Sequence, residues 1–203
     1  MKTLSTDQIK QIEDFLISQY NIKYQDTRDE ILDHIACEME ELMNERAEYE
    51  TAFKKTFNKW HNELRPHLWI RYNNIPRFLA KQWFWKDSLS FFILISLGFS
   101  TPYLLKYTIS EYNLANALAS TFSLLGVLLG GFVYLSNYKN KGYRINLLKR
   151  ESLSYGGICL FYYILFLSGD VTYKLLGLPL VATLIQIYYF IETLKTQRNT
   201  SRV

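Results

Sequence analysis

Cysteine, proline and histidine are scarce in this chain, with two, four and three copies in 203 residues. Cys37 lies in a polar, acidic region and Cys159 inside an apolar run, so the two are not expected to pair. Neither belongs to a CxxC motif, which excludes a disulfide framework and a thiol-redox pair. His34, His61 and His67 are isolated from one another in sequence, and no HExxH, GxSxG, P-loop or GxGxxG pattern is present. No fixed-period repeat or low-complexity tract occurs. The N-terminus, MKTLSTDQIKQIEDF, lacks an apolar h-region, so no cleaved signal peptide is expected.

Charge is also missing from long stretches. Ser88 to Leu105, Tyr112 to Tyr138, Ser152 to Gly169 and Leu175 to Ile191 contain no Asp, Glu, Lys, Arg or His. A membrane span needs about 20 mostly apolar residues, within a range of about 17 to 25. Four such runs leave too few polar faces for a water-soluble helical core. The absence of mid-run ionisable groups weighs against an ion carrier or a proton relay. Gln186 is the most polar residue deep in a run. It is expected to hydrogen-bond between helices, with substrate contact as the alternative.

The charge that is present is segregated. Residues 1–64 carry 8 Lys/Arg and 14 Asp/Glu, a net of −6, whereas residues 65–203 carry 15 Lys/Arg and 5 Asp/Glu, a net of +10. An acidic first part is a poor ligand for nucleic acid, which needs clustered cations. The basic residues of the second part flank the apolar runs. Five precede the first run and five lie in the central loop, Asn137 to Glu151, with Lys195, Arg198 and Arg202 in the tail; the other two connections hold only Lys106 and Lys174. This bias places both termini and the central loop in the cytoplasm.

Residues 1–64 read as three amphipathic helices. The first is capped by Ser5 or Thr6 and ended by Asn21, with Ile9, Ile12, Leu16 and Tyr20 as its stripe. The second, about 25–46, carries Leu32, Ile35, Met39 and Leu42, flanked by Ile31 and Met43. Glu30, His34, Cys37, Glu38 and Glu41 fall on the opposite side. The third, about 49–64, aligns Tyr49, Phe53, Phe57, Trp60 and Leu64. A three-helix unit of this size has a marginal core.

Residues 65–87 interleave Arg71, Arg77 and Lys81 with Trp69, Trp83 and Trp85. Amphipathic rings beside cations favour the headgroup zone of a bilayer, so these six residues are a candidate lipid interface. The competing reading has the aromatics capping the three-helix core. Pro76 is expected to start a fresh helix, and Pro102 to kink the first span while neighbouring hydroxyls satisfy the freed carbonyl. Ala115, Ala119 and Ser123, then Gly126 and Gly130, form small-residue rows suited to close helix packing or, alternatively, to a substrate path.

Glu30, His34, Glu38 and Glu41 are the candidate partner-docking face, with a plain solvated acidic face as the competing reading. One imidazole with nearby carboxylates supplies too few nitrogen ligands to favour a metal. No activating base stands beside Cys37. No catalytic residue, metal site or cofactor is therefore expected.

Thr27-Arg28-Asp29-Glu30-Ile31-Leu32-Asp33-His34-Ile35, followed by an acidic helix and Tyr49-Glu50-Thr51-Ala52-Phe53, resembles the HAAS-type N-terminal domain of small bacterial integral membrane proteins. The resemblance spans residues about 5–62. It implies a short helical unit ahead of several spans, no catalytic site, and a regulatory setting beside PadR-like winged-helix regulators.

The expected architecture is all-α: a cytosolic acidic helical domain at 1–64, a basic/aromatic juxtamembrane segment at 65–87, a four-helix transmembrane bundle at 88–195 and a cytosolic tail at 196–203. The expected function is that of a non-enzymatic, signalling-type adaptor in a bacterial inner membrane. Its expected partners are the lipid bilayer and a cytosolic protein, with a homo-oligomer left open and no direct nucleic-acid binding. The alternatives are a small transporter subunit, which should show polar groups at mid-membrane, and a membrane enzyme, which should show titratable residues clustered at one interface. Neither feature is evident in the sequence.

Overall fold

The computed structural model describes residues 3–68, 70–167, 169 and 171–200. Among them every regular element is helical: α1 (Thr6–Tyr20), α2 (Gln25–Asn44), α3 (Tyr49–Leu64), a 3-10 turn at Ile70–Tyr72, α4 (Arg77–Leu104), α5 (Lys106–Glu111), α6 (Ala115–Ser136), α7 (Tyr143–Leu167) and α8 (Gly177–Thr200). The chain divides into two compact units, one ending at Phe84 and one starting at Trp85, with the boundary inside α4. Each is described by itself.

In the first unit Ser5 caps α1 through a reciprocal capping box. Its hydroxyl accepts the Gln8 backbone N–H at 3.3 Å, and the Gln8 side-chain Oε1 accepts the Ser5 backbone N–H at 2.9 Å. Asn21 ends α1 in the left-handed conformation, φ 54°, which a short polar side chain tolerates. The buried stripe of α1 is Ile12, Leu16 and Tyr20; Ile9, expected in it, is exposed. On α2 the buried row is Thr27, Ile31, Ile35, Met39 and Met43, with Leu32 and Leu42 only partly buried at its margins. Two partners account for the change. α1 and α3 both pack on α2, so a wide face is covered, not the narrow stripe that a 3-4-3 spacing describes.

The α2–α3 turn is a Schellman motif: the Ala47 N–H donates to the Leu42 carbonyl at 3.0 Å and the Arg46 N–H to that of Met43 at 3.2 Å. Phe15, absent from the expected stripes, sets its ring edge-to-face against Phe53 and Phe57 at 5.1 and 4.6 Å. Arg28 ties α1 to α2, donating from Nε to Glu13 Oε1 at 2.9 Å.

In the second unit α6 packs against α7 and α8. The small-residue row explains the close approach. Ala119, Ser123, Gly126 and Gly130 are all buried. A Cβ on Gly126 would lie 2.4 Å from Cys159 Sγ on α7, and one on Gly130 would lie 2.8 Å from Gln186 Nε2 on α8. These positions therefore pack within one chain. α4 meets α8 where Phe91 stacks edge-on against Tyr188 and Tyr189, at 5.7 and 6.1 Å.

Pro102 lies in the last turn of α4, which ends at Leu104. The Ser100 and Thr101 hydroxyls both donate to the Leu97 carbonyl, at 3.3 and 2.7 Å. The carbonyl freed by Pro102 is that of Gly98, four residues back, so these hydroxyls do not serve it as expected. The connection that follows is not a simple turn, because it folds into the short helix α5.

α4, α6 and α8 are long and apolar enough to cross a membrane. α7 falls outside that set because its first turns carry Arg144, Lys149, Arg150 and Glu151.

Candidate functional site

Side chains that border the apolar runs converge at one end of the second unit. Arg144, in the first turn of α7, reaches Asp87 on α4 with both guanidinium prongs: Nη1 to Oδ2 and Nη2 to Oδ1, each at 2.8 Å. Nη2 also donates to Glu192 Oε2 on α8 at 3.3 Å, and the Tyr188 hydroxyl donates to Asp87 Oδ1 at 2.6 Å. Lys86 and Lys195 complete Glu192, at 2.6 Å to Oε2 and 3.2 Å to Oε1. The side chains of Asp87, Glu192 and Arg144 are only 1%, 5% and 12% exposed.

Each buried charge thus meets an opposite one, in forked geometry at Asp87 and Arg144, as desolvation of ions requires. Two carboxylates that in isolation would suit a divalent cation are already paired with Arg144, Lys86 and Lys195. The arrangement clamps three helices, α4, α7 and α8.

Beneath this ionic layer lies a polar node. Gln186 Nε2 donates to the Ser152 carbonyl at 2.7 Å, and the Ser152 hydroxyl is 3.2 Å from Gln186 Oε1 and 3.1 Å from the Gly130 carbonyl. Beside the layer, Asn137 Nδ2 donates to the Val133 carbonyl at 2.9 Å and to Thr193 at 3.3 Å. At the far end of the unit a cleft of about 710 Å³ is lined by Ser110, Asn113, Asn116, Tyr173 and Lys174 among others.

The ionic layer was not evident in the sequence. Asp87 and Glu192 sit one residue outside the charge-free runs and read there as span boundaries. The available signal was the position of the acids: three of the five Asp/Glu after residue 64 are Asp87, Glu151 and Glu192, all at the end where the basic residues concentrate.

The four residues of the candidate docking face separate into two environments. Glu30, His34 and Glu41 are exposed. Glu38 stands at the margin of the α2–α3 seam, not opposite the packed face: Oε1 accepts from Lys59 Nζ at 2.8 Å and Oε2 from Trp60 Nε1 at 3.0 Å. The His34 ring stacks on Trp60 at 6.2 Å. Burial works to raise the Glu38 pKa, but the hydrogen bonds from Lys59 and Trp60 and the Lys59 charge outweigh it, and the carboxyl sits below its ordinary value. Burial pushes the Tyr20 phenol up; its hydroxyl lies 3.0 Å from His61 Nδ1.

The candidate lipid-interface residues divide as well. The segment after α3 folds back on the first unit through a Pro66–Pro76 bridge, burying Tyr72 and Ile75, while Phe78 packs on the three-helix core. Arg71 lies over the Tyr72 ring at 5.5 Å, and Lys81 pairs with Glu63 at 2.5 Å. Arg77 and Trp83 are half-buried, whereas Trp85 is 77% exposed. Trp69 lies outside the described residues. Within the first unit, then, part of the aromatic and cationic segment serves the alternative role of covering the core.

Among the described residues, no three or more His, Cys, Asp or Glu gather as a metal-binding group. Comparison with family models, curated proteins and solved structures finds no match to this chain.

Proposed function

We propose that this chain is a four-span adaptor of a bacterial inner membrane, with both termini cytoplasmic, whose acidic helical unit captures a basic cytosolic protein. The spanning part is supported by direction. α6 and α8 end together, since Gln197 Nε2 donates to the Ser136 carbonyl at 3.4 Å. α7 starts at that same end, at the Arg144 layer, and finishes at the other, where Phe166 packs with Ile109 and Ala119. α7 therefore covers the same thickness as α6, whose 22 residues make about 33 Å of helix, close to a hydrocarbon core of about 30 Å. Exposed aromatics stand at both ends, Trp85 and Tyr138 at one and Tyr107 and Tyr112 at the other, where the two headgroup zones would lie.

The observation that carries the docking role is the exposed acidic side of α2. Glu30, Asp33 and Glu41 are exposed, and none of them is paired with a cation among the described residues. Such a face steers a basic partner, and the attraction weakens with salt. The HAAS resemblance implies a PadR-like regulator as that partner.

The ionic layer is the feature a membrane enzyme would need, and it favours that second reading. Yet its carboxylates are buried and ion-paired, which supports a structural clamp over a site that meets substrate. The polar node at Gln186 and Ser152, the feature of a transporter subunit, is likewise bonded between the helices, at 2.7 Å from Gln186 Nε2 to the Ser152 carbonyl. The test is capture from native cytosol by the full chain in nanodiscs, comparing wild type with E30K/D33K/E41K. Capture that is lost in the variant and in high salt is expected; the same partners on both proteins would overturn the docking role.

A further inference from the structure

The clamp has a consequence for the surface around it. Of the three acids at that end of the second unit, Asp87 and Glu192 point inward and are nearly inaccessible, at 1% and 5% side-chain exposure, and Glu151 is 17% exposed. Apart from Arg144, which lies in the clamp, the cations face outward. Lys139, Lys141, Arg150, Lys195 and Arg198 are exposed and Lys149 is half-exposed. Eight Lys/Arg and three Asp/Glu make the formal charge of this end +5, and the visible surface is more one-signed than that figure. In sequence, the two connections on the opposite side of the runs hold Lys106, Glu111, Asp170 and Lys174 and are neutral.

The cationic loop is also held in place. Asn137, 1% exposed, is fixed by its bonds to Val133 and Thr193 and by Gln197 Nε2, which donates to Asn137 Oδ1 at 3.3 Å. Lys149 Nζ donates to the Asn140 carbonyl at 3.3 Å. Gly142 takes φ 148°, and Tyr143 and Ile145 after it are buried. Lys139 and Lys141 are thus displayed from a preorganised loop, which lowers the ordering cost of engaging a ligand. Trp85 and Tyr138, 77% and 68% exposed, stand at the same level, as rings in a headgroup zone do.

We infer that this end of the helical unit is a binding ring for the phosphate headgroups of anionic glycerophospholipids, selecting them from the surrounding bilayer. The inference does not depend on partner capture by the acidic unit. The probe is spin-labelled phosphatidylglycerol against spin-labelled phosphatidylcholine, with the full chain reconstituted in phosphatidylcholine bilayers. Electron spin resonance then reads the motionally restricted fraction of each label.

Phosphatidylglycerol is expected to associate about fivefold more strongly, with the preference collapsing in 1 M salt, where the Debye length is about 3 Å. K139Q/K141Q/K149Q/R150Q should remove most of the preference. These four side chains lie outside the Asp87–Arg144–Glu192 clamp, and the restricted phosphatidylcholine fraction reports whether the helices still assemble. K106Q/K174Q, at the neutral end, should leave the preference unchanged. Equal association of the two labels, or a preference retained by the quadruple variant, would overturn the inference. So would a preference lost in K106Q/K174Q, or displacement by 10 mM glycerol phosphate, which would mark a site for soluble phosphate esters.

Discussion

Arg144 and Asp87, 57 residues apart in sequence, meet prong to prong at 2.8 Å on each side, with Asp87 only 1% exposed. Removing one partner strands a desolvated charge, a loss of about 3–5 kcal/mol, whereas replacing both with apolar groups of similar size is often neutral. D87A is therefore expected to lower the unfolding midpoint of the purified protein sharply, and D87L/R144M to recover most of it. Thermal unfolding followed by circular dichroism distinguishes the two. A single variant as stable as wild type would show that the pair carries no clamp.

Adjacent glycines on α6 make opposite predictions. A Cβ on Gly130 would meet Gln186 Nε2 at 2.8 Å and the Ser152 carbonyl at 3.2 Å, whereas one on Gly131 would have nothing within 4 Å. G130A should destabilise by about 1–3 kcal/mol through overpacking. G131A should be neutral, or stabilising by up to about 1 kcal/mol from helix propensity. Equal responses in the two proteins would contradict the α6–α7–α8 packing.

The proposed orientation is tested by thiol labelling in a C37S/C159A background. Ser110 and Asn140 are both exposed and lie at opposite ends of the second unit. Ser110→Cys should react with an impermeant reagent added to intact cells, and Asn140→Cys only after the cells are opened. The reverse pattern would invert the topology.

Helix existence was legible because periodic apolar residues and long uncharged runs are local properties. Which members of a stripe go inside was not. Ile9 and Leu32 look equivalent to Ile12 and Ile31 until the partners of a helix are known, and Phe15 joins the core through α3 rather than through its own stripe. The ionic layer was invisible for a related reason. Asp87, Arg144 and Glu192 sit at the margins of three different segments, and only tertiary contact makes them one site. Glu38 illustrates the same limit: helical angle placed it away from the core, but the long reach of Lys59 and Trp60 brought it to the seam.

Arg46 occupies a position that favours glycine. Its φ is 76° at the residue after the α2 cap, and the left-handed conformation costs a side chain roughly 1 kcal/mol. R46G should slow hydrogen exchange of the core amides of α2 and α3 about fivefold. Faster exchange would mean that the exposed Arg46 side chain contributes more than its backbone strain removes.

The Glu38 contacts also predict a pH dependence. Its carboxyl titrates below its ordinary value in the folded chain because Lys59 and Trp60 bind the ionised form more strongly than burial disfavours it. A carboxyl with a depressed folded pKa contributes stability that is complete above its unfolded value, about 4.3. That contribution is lost as pH falls through the lower folded value. Glu38→Gln should therefore lower the stability of the first unit at pH 7, by up to about 1 kcal/mol since Lys59 is largely solvated. The gap between the two proteins should narrow below about pH 4. A W69F/W83F/W85F background leaves Trp60 as the sole indole, and its fluorescence during denaturant unfolding of the full chain reports the event beside Glu38. A gap that stays constant from pH 7 to pH 3 would mean that Glu38 contributes through packing and not through its charge.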